Sequence, residues 1–153
     1  MNAYGLKLNP NKCVFRVKAG KFLGFLLAER GIEANTDKCA TIINMRSPGN
    51  IKEVQRLIGC MVALTRFLPR ARDRGHPYFE CLQKGKNFRW RDECEQAFVQ
   101  LMEHLSCPPI LCRSHQGIPL KLYVTVTNRA ISSTLMQDQG EDQRPIYFVS
   151  KTL

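Results

Sequence analysis

The chain has 153 residues, of which 44% are hydrophobic and 24% charged, with a formal charge of +10. That apolar content suits one folded domain or two small ones and argues against global disorder. No run approaches the roughly eighteen apolar residues of a membrane span, and the amino terminus lacks a signal-peptide core. An intracellular setting in cytoplasm or nucleus is therefore expected, with no membrane partner.

The positive charge is concentrated. Residues 1–91 hold 18 Lys/Arg against 6 Asp/Glu, and residues 92–153 hold 5 against 7. A basic first part points to phosphates, because sequence-independent nucleic-acid binding rests on lysine and arginine displacing counterions. The seven cysteines include no CxxC pair, so reduced structural thiols are expected rather than a metal site. His76, His104 and His115 lack metal-like spacing, and no phosphate loop, nucleophile triad or small-molecule cofactor motif is present.

In chain order, Leu8-Asn9-Pro10-Asn11 signals a turn. Residues 13–17 then alternate like a strand, residues 18–21 connect, and residues 22–28 form a second strand with Gly24 inside it, a hairpin by this reading. Glycine within a strand marks a bulge or the close approach of another backbone. Asn35-Thr36-Asp37 caps a short helix to about Met45, and Ser47-Pro48-Gly49-Asn50 breaks the chain.

Residues 51–68 read as one long helix. Val54, Leu57, Ile58, Met61, Leu64 and Leu68 recur at three- and four-residue steps, which places them on one packed face. Beside that face Gln55, Gly59 and Ala63 follow at four-residue steps, bordered by Lys52, Arg56 and Arg66. A helical glycine costs roughly 1 kcal/mol relative to alanine, so it needs a reason. Either Gly59 lets another helix pack closely, or it lets the backbone approach the shallow minor groove of an A-like duplex.

Pro69 ends that helix, and Arg70, Arg72 and Arg74 make a basic exit. A further helix is expected over residues 77–83 and another over 92–105, the latter with Cys94, Phe98, Leu101 and Leu105 on one face. Trp90 is read as an anchor between the parts on either side of it. After Pro108-Pro109, residues 120–126, 130–137 and 145–150 form a three-stranded meander, with a polar loop at 138–143.

Five ordered blocks resemble the Pol polyprotein of gypsy-type long-terminal-repeat retrotransposons of a plant-like lineage. They are LNPNKCVF (8–15), FLGFLLAERGIEAN (22–35), VQRLIGCMVALTRF (54–67), FRWRDECEQAF (88–98) and RPIYFVSKTL (144–153). The resemblance implies an α+β fold. Residues 1–34 would be the end of a reverse-transcriptase palm with its primer-grip hairpin, and 35–85 a helical thumb-like bundle. Residues 86–153 would begin a truncated three-stranded antiparallel RNase H-like sheet.

It also implies residue roles. Phe22, Leu23, Gly24 and Phe25 match the primer grip, although a packing role for the three apolar ones stays open. Gln55, Gly59 and Ala63 match thumb positions that track the duplex, and Lys52, Arg56 and Arg66 would add phosphate contacts. The partner implied is an RNA–DNA or DNA duplex.

Catalysis is not expected of this chain. Two-metal phosphoryl transfer needs clustered carboxylates holding cations about 4 Å apart. The family's polymerase aspartates would lie upstream of Met1. Its first RNase H aspartate corresponds to Thr125, whose neutral hydroxyl cannot replace an anionic ligand of Mg²⁺. The alternatives are a structural relic or a fragment of a longer active polyprotein.

Overall fold

The computed structural model describes residues 5, 7, 9–13, 15–22, 24–83 and 87–153. Leu23, and with it the expected grip contact there, lies outside the described residues. The fold is α+β, with two three-stranded antiparallel sheets and a helical body between them in the chain.

The first sheet comprises β1 (Ala19–Phe22), β2 (Phe25–Ala28) and β3 (Gly31–Glu33). The hairpin is thus displaced from its expected position. Cys13 and residues 15–17 are not in a strand. Asn9 accepts a bond from the Asn11 N–H at 3.0 Å and caps a 3-10 turn at Pro10–Lys12, and Arg16 takes φ 54°, a left-handed conformation no strand accommodates. Phe15 and Val17 are 79% and 53% exposed, so no burial favours the alternating pattern. The arms instead pair Ala19 with Ala28 and Phe22 with Phe25. Gly24 belongs to the tight turn between them, at φ 81°, rather than to a strand interior.

Four helices follow: α1 (Thr36–Ile43), α2 (Ile51–Ala63), α3 (Ala71–Cys81) and α4 (Asp92–Ser106). Asn35 caps α1 by accepting the Asp37 N–H. At α2, Asn50 accepts the Glu53 N–H at 3.0 Å while the Glu53 carboxylate accepts the Gly49 N–H at 2.7 Å, a reciprocal arrangement that fixes the helix start.

The helix expected to reach Leu68 stops at Ala63 and gives way to a 3-10 turn, Thr65–Phe67. The Thr65 hydroxyl donates to the Val62 carbonyl, competing with the helical ladder. Leu64, Phe67 and Leu68 stay inward through the bend, each at most 1% exposed.

Helix α3 begins six residues before the expected position. Its amphipathic signal is masked by Arg72 and Arg74, and it carries Pro77 in its interior. Gly75 explains its placement. A Cβ there would stand 2.9 Å from Met61 Cε, so the glycine lets α3 lie close against α2.

One buried core runs through all four helices, led by Tyr78, Phe67, Phe98, Ile42 and Leu57. Trp90 stacks on Tyr78 at 5.9 Å with near-parallel rings, meets Phe98 edge-on at 6.1 Å, and donates its indole N–H to Glu95 at 2.6 Å. It occupies the junction of α3 and α4. Cys81 and Cys94 lie beside this stack as reduced thiols, Sγ to Sγ 3.3 Å, and burial pushes the Cys81 thiol up to about 11.

The second sheet is a meander of β4 (Leu120–Val126), β5 (Ala130–Gln139) and β6 (Asp142–Thr152). The expected polar loop at 138–143 is shorter in fact. Gln139 pairs with Asp142, leaving a two-residue turn in which Gly140 takes φ 70°. Phe148 of β6 joins the helical core. Polar contacts complete the joint: the Thr127 hydroxyl donates to Asp73 at 2.9 Å, and the Arg72 N–H donates to the Ser150 hydroxyl at 3.3 Å. Leu111, ahead of the sheet, exchanges both backbone bonds with Ile32 of β3.

Candidate nucleic-acid interface

Helix α2 presents two faces of opposite character. Val54, Leu57 and Met61 are buried, and Gln55, Gly59 and Ala63 run along the solvent side with Lys52 and Arg56. The i, i+4 spacing places the three small or uncharged residues in one row. A Cβ built on Gly59 would meet nothing within 4 Å. Packing therefore gives no reason for glycine at this position. Lys52 and Arg56 form no ion pair among the described residues, which leaves their charge available to an external anion. Arg56 also borders an open crevice of about 810 Å³ between α1 and α2, which Arg46 lines as well.

The hairpin supplies a second group of expected residues. Phe22, the last residue of β1, is 60% exposed. Its ladder partner Phe25 is half-buried against Phe67, ring centres 5.9 Å apart. Packing thus accounts for Phe25, while Phe22 has no such account. Gly24 needs its positive φ, and Lys38 Nζ would stand 2.8 Å from a Cβ on it. Lys38 is a cation at the turn that the sequence reading missed, since only the folding of α1 onto the hairpin brings it there. Arg66 stands apart from the α2 row, its guanidinium over Phe25 of β2 and Tyr147 of β6.

Thr125 lies next to the end of β4, paired in register with Ser132, which is paired in turn with Ser150. Residues paired across a ladder share one face, so a row of hydroxyls crosses the sheet, and those of Ser132 and Ser150 are bonded at 2.8 Å. Neutral hydroxyls do not fit a hard divalent cation, which prefers carboxylates. Among the described residues no three His, Cys, Asp or Glu side chains gather where they could hold a metal ion. No helix of the described residues is long and apolar enough to cross a membrane.

Comparison with known proteins agrees with this layout. Residues 90–153 match the family described as the RNase H-like domain found in reverse transcriptase. The Tf2-3 and Tf2-4 transposon polyproteins of Schizosaccharomyces pombe are each 25% identical over 138 residues, covering 90% of this chain and 10% of the relative. The chain thus spans about a tenth of the length of these curated relatives. In fold it is similar to the foamy viral protease-reverse transcriptase solved in complex with dsDNA. The TM-score there is 0.70 and the identity 20%, over 90% of this chain and 29% of that one. The same viral protein in complex with RNA/DNA hybrid gives a TM-score of 0.68 and 20% identity, over 89% of this chain and 19% of that one. The chain is thus similar in sequence to transposon polyproteins and in fold to a viral protease-reverse transcriptase, and its residues 90–153 match the RNase H-like domain found in reverse transcriptase.

Proposed function

We propose that the chain holds a primer–template-like duplex without performing polymerase or nuclease chemistry itself. The observation that carries this reading is Gly59, a helical glycine in open space on an exposed row flanked by the free cations Lys52 and Arg56. A smooth row bordered by positive charge admits a nucleic-acid backbone and groove to within contact of the helix. Phe22 at the hairpin end is the second contact. The foamy viral neighbours were solved with dsDNA and with RNA/DNA hybrid, which supports a duplex as partner. Thr125 in place of an acid supports the absence of nuclease chemistry in this segment. The five sequence blocks support a gypsy-type, plant-like lineage. The tenfold shorter span relative to the Tf2 polyproteins favours a second reading beside the first, in which the same segment serves inside a longer Pol protein.

The test is fluorescence anisotropy with a labelled RNA–DNA hybrid and the matching DNA duplex, titrated from about 50 to about 200 mM KCl. Affinity is expected to fall roughly ten-fold or more across that range, as counterion release by a few cations requires. Gly59→Leu is the informative variant. Leucine improves helix propensity by up to roughly 1 kcal/mol, so the fold is retained while the row is blocked. Binding at least about ten-fold weaker, about 1.4 kcal/mol, is expected. Affinity indifferent to both salt and Gly59→Leu would overturn the proposal.

A further inference from the structure

The turn Thr65–Phe67 is where hairpin, helices and sheet meet. Because α2 stops at Ala63, two successive side chains diverge. Phe67 goes inward, fully buried, with its ring on Phe25 and its carbonyl 3.1 Å from His104 Nε2 of α4. Arg66 goes outward. Its guanidinium carbon lies 5.5 Å from the ring centre of Phe25 in β2 and 5.9 Å from that of Tyr147 in β6. Both distances fall within the range at which a cation is attracted to an aromatic face. No carboxylate pairs with Arg66 among the described residues, so the two rings are its described partners.

Phe25 packs on Phe67 at the end of the hairpin, and the other contacts that hold the hairpin are weak. The Lys21–Asp37 ion pair to α1, at 2.6 Å, is exposed on both sides, where such pairs contribute little. The Ile32–Leu111 bridge fixes β3, the strand farthest from β1 in the sheet. A planar cation in contact with two aromatic rings suits guanidinium, whereas an ammonium is a compact, strongly hydrated charge that stacks poorly.

We infer that Arg66 is a positioning residue. By bridging Phe25 and Tyr147 it fixes the hairpin against the RNase H-like sheet, and so sets where Phe22 stands relative to the row Gln55, Gly59 and Ala63. The consequence for binding rests on the duplex-holding reading, whereas the bridge is a property of the free protein. Its role is orientation, in contrast to the phosphate contact that its sequence position suggests.

The test uses the whole chain with Arg66→Lys, Arg66→Met and Tyr147→Leu. In the free protein, hydrogen–deuterium exchange of the amides in Ala19–Phe22 and Phe25–Ala28 is expected to quicken about five-fold in all three variants, with α4 unchanged. In duplex binding, Arg66→Lys is expected to be as weak as Arg66→Met, with the salt slope kept. A phosphate contact gives the opposite pattern. Lysine then retains the affinity, methionine lowers the salt slope by about one, and hairpin exchange does not move. That pattern overturns the inference. So does unchanged hairpin exchange by itself, and since this arm needs no nucleic acid, it decides even if the wild-type chain binds no duplex.

Discussion

The helical body and the β4–β6 sheet handle apolar surface in opposite ways. Helices α1 to α4 bury their apolar stripes against one another, and Phe98, Leu101 and Leu105 of α4 are each 1% exposed. The sheet buries part of one face and Gln137 of the other. Ala130, Ser132 and Phe148 are covered, whereas all seven residues of β4 are exposed, among them Leu120, Leu122, Val124 and Val126 in an alternating row. A row of apolar side chains on a sheet edge marks a surface open to further pairing. The difference teaches where cohesion resides: the helices hold themselves together, and the sheet leans on them through Phe148 and a handful of hydroxyl contacts.

The largest expected effect breaks this comparison if it is wrong. Phe98→Ala removes a ring that contacts Trp90 at the centre of the helical core, and a loss of about 3–5 kcal/mol in urea-monitored stability is expected. Val124→Ala, in the exposed row, is expected to change stability by less than about 0.5 kcal/mol. Comparable losses in the two variants would mean that the sheet is as much a part of the cohesive core as α4.

A smaller effect is expected at the strap between the two sheets. Gly31 of β3 takes φ 141°, and a Cβ on it would stand within 2.3 Å of the Leu111 carbonyl oxygen. That oxygen cannot swing aside like a side chain, because it accepts the Ile32 N–H at 2.8 Å. Gly31→Ala should therefore break the Ile32–Leu111 bridge at a cost of about 2 kcal/mol. Faster amide exchange at Ile32 and Leu111, with the helices unaffected, is the expected signature. A variant as stable as wild type would show the strap to be dispensable.

The same contrast governs what could be read from the sequence. Helix α1 was legible from its cap at Asn35, and helix α4, which no side chain caps, from the apolar periodicity of Cys94, Phe98, Leu101 and Leu105. The meander was legible because alternation survives in β4 even without burial. The first six residues of helix α3 were hidden, since it starts after a left-handed Arg70, carries arginines in its first turn and holds Pro77 inside. The hairpin was misplaced because Phe15 and Val17 fit an alternating pattern without being buried, and alternation alone cannot distinguish a strand from an exposed loop. For the candidate interface, the α2 row followed from spacing. The bridge from Arg66 to Phe25 and Tyr147 did not, since it depends on the helix ending at Ala63 and on β6 arriving there from the far end of the chain.

The smallest expected effect sharpens the account of the helical body itself. Tyr78 is fully buried, its ring stacked on Trp90, and its hydroxyl has no hydrogen-bond partner among the described residues. Burial holds its ionisation well above the usual tyrosine range, with nearby Cys94 and Glu95 adding to the rise and Arg74 opposing it. A buried hydroxyl without a partner loses its bonds to water and regains nothing. Phenylalanine would keep the stack and remove the orphan, so Tyr78→Phe is expected to leave stability unchanged or raise it by up to about 1 kcal/mol. Tyr78→Leu removes the stack as well and should destabilise, which separates the ring's contribution from that of the hydroxyl. A loss of more than about 1 kcal/mol in Tyr78→Phe would mean that the hydroxyl is bonded after all, and that the packed body contains a polar contact its core lacks in this structure.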